Sequence, residues 1–138
     1  MQEPQISTDK EKLDVDFIHH YLSETAYWSK GRSMEAVKKS IENSMCFGVY
    51  SDDTQIGFAR VVTDHAVFAW ILDVFIIDEY QHKGIGKKLM TFIMEHPDLQ
   101  NLRRWGLNTW DAHELYKKYG FEKLENPDIY MELVNKPS

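Results

Sequence analysis

Residues 81–88 read Gln-His-Lys-Gly-Ile-Gly-Lys-Lys and follow closely on residues 67–77, the most apolar run of the chain. A strand that empties into a turn and then a helix presents the helix's unpaired N–H groups and its dipole to whatever sits at the strand's end. Such a point favours a phosphate. Gly84 and Gly86 carry no Cβ and tolerate positive φ, so the main chain there can approach a ligand closely. Lys83, Lys87 and Lys88 add positive potential around the same point. The spacing is neither GxxxxGK[ST] nor GxGxxG. By itself, Q-x-x-G-x-G reads either as a pyrophosphate cradle or as a strand-to-helix connection whose glycines serve packing.

Asp73 is the one charged residue between Ala66 and Ile77. An unpaired carboxylate inside a buried strand would be costly or protonated. Two readings stand: Asp73 faces a cleft, as a base of raised pKa or an anchor for a cationic amine, or it is structural, pairing with Arg60 on the preceding strand or accepting backbone hydrogen bonds. Tyr116 lies in an amphipathic stripe with Ala112, Leu115 and Tyr119, which by spacing alone is core packing. His19, His20, His65 and His96 show no metal-ligand spacing such as HxxxH, and the chain's one cysteine, Cys46, has no His or Asp near it in sequence. There is no nucleophile elbow, and the expectation is no metal.

These groups need an α/β frame. Residues 5–8 suit a short edge strand, residues 14–28 place Val15, Ile18 and Leu22 on one helical face, and residues 33–44 do the same with Met34, Val37 and Ile41 behind an N-cap at Ser33. Residues 45–51 and 55–64 form a predicted hairpin around Asp52 and Asp53, and residues 67–77 a strand covered on both faces. A helix runs from about Gly84 to His96, with Pro97 beyond it. Residues 103–109 read as a strand, residues 111–121 as a helix with Asp111 and Glu114 at capping-box spacing, and residues 129–134 as a last strand. The result is a mixed sheet flanked by helices.

The length of 138 residues suits one domain, with its core over residues 5–134. A hydrophobic fraction of 43% and an aromatic fraction of 13% are those of a globular chain. The net charge of −6 argues against nucleic acid and anionic membranes as partners. A lone cysteine forms no internal disulfide, residues 1–10 lack a signal-peptide core, and the run at 67–77 is too short to span a bilayer, so a cytoplasmic location is expected.

The run at 73–90 followed by the one at 111–121 resembles the Gcn5-related N-acetyltransferase (GNAT) superfamily. Gln81, Gly84 and Gly86 match that family's Q/R-x-x-G-x-G/A, and Leu115, Tyr116, Gly120 and Phe121 match its later L-Y-x-x-x-G-F. The resemblance covers nearly the whole chain and implies the acyl-CoA N-acyltransferase fold, a mostly antiparallel sheet with two strands splayed apart. It implies acetyl-CoA as cosubstrate, with its pyrophosphate on main-chain N–H groups of Gln81, His82, Lys83, Gly84, Ile85, Gly86 and Lys87. Its pantetheine arm would pair with Val74, Phe75 and Ile76 like an added strand. His82 departs from the glycine frequent at its position, and its ring either contacts a phosphate or faces water.

The resemblance further implies that a primary amine attacks the thioester directly through a tetrahedral intermediate. A main-chain N–H near Phe75 would stabilise the oxyanion and Tyr116 would protonate the departing thiolate. Asp73 remains a candidate catalytic residue. The loop between the first two helices would line the acceptor side, with Tyr27, Trp28 and Arg32, and Trp110 and His113 would open on the same mouth. Trp28 has a second reading, as a plug onto the core. An Arg32 in that wall suits an acceptor bearing an acid group beside its amine. The expected partner is a small-molecule amine, the expected state monomer or homodimer. A different class, a non-catalytic acyl-CoA-binding or sensor module, would use the same fold without transfer.

Overall fold

The computed structural model describes residues 3–135. Five strands, β1 (Gln5–Ser7), β2 (Met45–Ser51), β3 (Thr54–Thr63), β4 (Phe68–Ile76) and β5 (Arg104–Gly106), lie side by side in that order in one sheet. The first four are antiparallel neighbours and β5 joins β4 in parallel. This is the mixed sheet that the residue patterns anticipated, mostly antiparallel as the family resemblance implies. Four helices accompany it: α1 (Val15–His20), α2 (Met34–Glu42), α3 (Ile85–Glu95) and α4 (His113–Lys117).

The two-residue period of the strands sends neighbouring side chains to opposite faces. Phe47, Val49, Ala59 and Val61 join Ile85, Leu89, Met90 and Ile93 of α3 on one side. Cys46, Phe58 and Phe75 join Ile18 of α1 and Val37 and Ile41 of α2 on the other. Ser33 caps α2 as expected, its hydroxyl accepting the N–H of Ala36 at 3.1 Å.

Two features of β4 shape the cleft. Between the pairs Phe58–Phe75 and Arg60–Leu72, β4 carries one more residue than β3, and Asp73 within that bulge has φ 54°. Beyond Trp70, which pairs with Gly106, β4 also loses β5 as a neighbour, so residues 71–76 present an open edge on that side among the described residues. A Cβ on Gly106 would collide with the Trp70 ring, so the indole fits over the last pair of the ladder because position 106 is glycine.

The structure corrects three expectations. The first helix stops at His20 and continues as a π-type turn over Tyr21–Thr25 and a 3-10 turn over Tyr27–Ser29. There the loop folds back on itself, with the Ser29 hydroxyl donating to Leu22 O at 2.7 Å and Gly31 N to Ser23 O at 2.9 Å. Asp111 does not cap α4: the cap is Ala112, whose N–H donates to the Thr109 hydroxyl at 3.0 Å. Residues 130–135 form no strand, because none of the described strands lies beside them.

Candidate active site

The glycine turn closes in short steps. After a 3-10 turn at Asp78–Tyr80, Gln81 returns its side-chain amide to Ile76 O at 2.7 Å and to the Asp78 carboxylate at 3.2 Å. Its side chain therefore ties the end of β4 to the start of the turn. His82 (φ 63°) and Gly84 (φ 81°) are both left-handed, and Gly84 is the N-cap of α3. A left-handed His82 explains why glycine suits that position, and its ring is exposed. Cβ atoms placed on Gly84 and on Gly86 would meet nothing within 4 Å. The glycines therefore do not serve packing within the chain, and the space beside them is open.

Charge gathers at the same point. Lys83 lies over the Tyr80 ring at 5.5 Å. A hydrogen bond from Lys87, which only the neutral amine of Lys118 accepts, and then the Lys87 charge hold the exposed Lys118 below its ordinary pKa, so the two lysine side chains lie close together beside the turn. Lys88 is turned away, donating to Pro4 O at 2.7 Å and pairing with Glu3 at 3.1 Å. Open space beside two glycines at the N-terminus of a helix of 11 residues, next to Lys87 and Lys118, suits an anionic group such as a phosphate.

The open edge of β4 offers main-chain groups along the same line. Ile77 N donates to Ile56 O at 2.9 Å, which ties residue 77 to the β3 ladder. By strand alternation Phe75 also faces β3, while Val74 and Ile76 turn their N–H and C=O to the open side, where the Ile76 carbonyl already accepts from Gln81. The N–H of Phe75, near which an oxyanion donor is expected, thereby points to β3. The Phe75 side chain instead stacks flat on Tyr21, with ring centroids 3.8 Å apart. Burial, and then the charge of Asp78, raise the Tyr21 pKa above its usual 10.0. Tyr21 escaped sequence reasoning because it reads there as one more residue flanking a helical face; no spacing marks it.

Asp73 is the hub that holds the loop before α2 against β3 and β4. Its carboxylate accepts from Trp28 Nε1 at 3.0 Å, from Arg32 at 2.7 Å and from Arg60 Nε at 2.6 Å. Burial alone would raise its pKa, but the hydrogen bonds and charges of Arg60 and Arg32 outweigh burial and hold it below 3.8. Of the two readings, the structure supports pairing with Arg60, and a carboxylate so held is not a base of raised pKa. Trp28 and Arg32 are thus drawn onto the bulge, with Tyr27 edge-on to Trp28 at 5.2 Å and half of Trp28 still exposed.

Tyr116 is buried in the cluster that also contains Ile76 and Ile85, the residues flanking the glycine turn. Its ring meets Phe121 at 6.0 Å, and among the described residues its hydroxyl has no hydrogen-bond partner. Burial, and then Asp111, raise its pKa above 10.0, so it stays protonated at neutral pH. The next tyrosine, Tyr119, is tied down: its hydroxyl donates to Lys87 O at 2.8 Å and docks α4 on α3. Trp110 and His113 are exposed, and among the described residues no hydrogen bond joins their side chains to the Trp28–Asp73 group. Burial pushes the Cys46 thiol up to about 11. No group of three or more His, Cys, Asp or Glu among the described residues is placed to hold a metal ion.

Comparison with known proteins agrees with this geometry. A family model described as acetyltransferase (GNAT) domain matches residues 42–123. A crystal structure of a Xanthomonas campestris pv. campestris protein, assigned to the GNAT family, superposes with a TM-score of 0.94 at 43% identity, covering 98% of this chain and 95% of that one. A Gibberella zeae protein assigned as an acetyltransferase is 29% identical over 133 residues, 82% of this chain and 75% of its own. The glucosamine-6-phosphate N-acetyltransferase of Arabidopsis thaliana, at 14% identity and a TM-score of 0.65 over 98% of this chain and 99% of that one, shares the fold.

Proposed function

The chain belongs to the GNAT acetyltransferase family, and on that premise we propose that it uses acetyl-CoA to acetylate the primary amine of a small molecule by direct attack. The observation that carries this reading is an open β4 edge that leads into a glycine turn where the space beside Gly84 and Gly86 is empty. The thioester supplies the activated acetyl group. Main-chain N–H groups from Gln81 to Lys87 hold its pyrophosphate, and Val74 and Ile76 pair with the pantetheine amides.

The amide of Val74, beside the bulge, donates to the oxygen that gains charge as the amine attacks. Tyr116, neutral and with its hydroxyl uncommitted, gives its proton to the leaving thiolate. Asp73 positions the acceptor loop and takes no proton, because two arginines hold it ionised. The ammonium form of the acceptor loses its proton to water in the open mouth, since no raised carboxylate stands there. Arg32, one-quarter exposed at that mouth, suits an acceptor that carries an acid group as well as an amine.

In this reading the whole chain is one N-acetyltransferase domain, working in the cytoplasm on a small molecule, with neither nucleic acid nor membrane as partner. Among the described residues no helix is long and apolar enough to cross a membrane. The reading is tested by following thiol release from acetyl-CoA against a panel of amines with and without a carboxylate. Turnover with some members of the panel supports it. Binding of acetyl-CoA with no thiol release above the amine-free rate would make the protein an acyl-CoA-binding module instead.

A further inference from the structure

The face of the sheet that carries the Asp73 hub is only partly covered. Residues two apart on a strand, and residues paired across it, share a face. Arg60 pairs with Leu72 and Val62 with Trp70, so Leu72 and Trp70 lie on the face where the Arg60 guanidinium meets Asp73. On this face α1 and α2 pack against Cys46, Phe58 and Phe75. Beyond the bulge, toward the start of β4, Leu72 and Trp70 are half-buried and belong to neither apolar core, and Val62 and Phe68 are exposed.

This apolar strip is also well braced. The Trp70 and Phe68 rings stack with planes 22° apart and centroids 6.3 Å apart. The six-membered ring of Trp70 lies over Gly106, where any Cβ would collide with it, so the indole is laid across β5. At the end nearest the bulge the strip meets Trp28, 43% exposed, and Arg32. Arg32 gives Nη1 to Asp73 at 2.7 Å, and its side chain makes no other hydrogen bond among the described residues. The rest of that planar fork is available to a carboxylate.

We propose that this strip is the acceptor's side-chain subsite and that the acceptor is an α-amino acid with an aromatic side chain. The proposal rests on the transferase reading and adds to it the class of molecule. The amine stands near the Val74 amide, where the thioester carbonyl is attacked, and the adjacent carboxylate pairs with Arg32. About 7 Å of strand separate Leu72 from Trp70. An aryl group one methylene beyond the amine-bearing carbon therefore lies over Leu72 and against the indole. A methyl side chain ends short of it, and an aryl amine without the acid leaves the Arg32 fork unpaired. The products are the N-acetyl amino acid and the free thiol of CoA.

Thiol release from acetyl-CoA tests this, with phenylalanine, tryptophan, alanine and 2-phenylethylamine compared by kcat/KM. Both aromatic amino acids should exceed alanine and phenylethylamine by about tenfold or more. In Trp70→Ala the ratio of phenylalanine to alanine should fall to near unity, chiefly through KM. Gly106→Ala, whose methyl group displaces the indole without removing it, should lower the same ratio. A ratio read within one variant is unaffected by how much of that variant is folded. Equal kcat/KM for phenylalanine and alanine in the wild type would overturn the proposal and leave the transferase reading standing. Bound acetyl-CoA with no thiol release from any amine would overturn both. A dimer in sedimentation that Trp70→Ala dissociates would assign the strip to a second copy of the chain and overturn the proposal as well.

Discussion

Asp73 is held in a left-handed conformation by a bulge and in an ionised state by two arginines. Asn tolerates the same backbone, so Asp73→Asn removes the charge and little else. It leaves Arg60 and Arg32 facing each other without a counter-charge. A loss of about 3 kcal/mol in denaturant unfolding is expected. The pH dependence follows from the direction of the shift. A carboxyl whose folded pKa lies below its unfolded value adds stability at neutral pH and loses it as pH falls from about 4 through the depressed value. The variant should therefore show a flatter acid limb than wild type below about pH 4. Tyr116 shifts the other way. Because burial raises it above 10.0, loss of its proton should not lower kcat below about pH 9. Tyr116→Phe should lower kcat by about 100-fold in the thiol-release assay, with acetyl-CoA affinity kept. An unchanged kcat would return Tyr116 to the core.

At the scale of elements, the hairpin, the apolar strand and α3 were legible because each follows from a periodicity or a glycine. The bulge was not. It depends on a left-handed Asp73, and nothing in the residue order distinguishes that from a strand residue pointing inward. The same bulge decides which amides face the cleft, and alternation beside it gives that edge to Val74 and Ile76. The glycine turn was legible as a pattern, but its two meanings separated only when the space around it was known. That separation gives a prediction. Gly86 is helical and its Cβ direction is empty, so Gly86→Ala should stabilise the free protein by about 0.5 kcal/mol. The added methyl group enters the ligand's space and should weaken acetyl-CoA binding by about tenfold, or 1.4 kcal/mol, in calorimetry.

For the whole molecule, sequence pattern identified residues 129–134 as strand-forming, and the structure finds them exposed. Alternation says that a segment has one apolar face; it does not say which chain covers that face. The acceptor mouth was similarly half legible. Trp28 and Arg32 stood out by type, but their common partner, Asp73, lies 45 and 41 residues away along the chain. What unites the molecule is the line from the open edge of β4 through the glycine turn into α3. Thermal unfolding of the wild type and of Gly86→Asp with acetyl-CoA, CoA, NAD and ATP side by side tests that line most directly. A ligand at a hundred times its Kd adds about 2.7 kcal/mol, which a Tm shift reports clearly. The expected result is a shift with acetyl-CoA and CoA that NAD and ATP do not match and that Gly86→Asp loses. A folded wild type whose Tm neither CoA compound moves would contradict the assignment of the turn and, with it, the transferase reading.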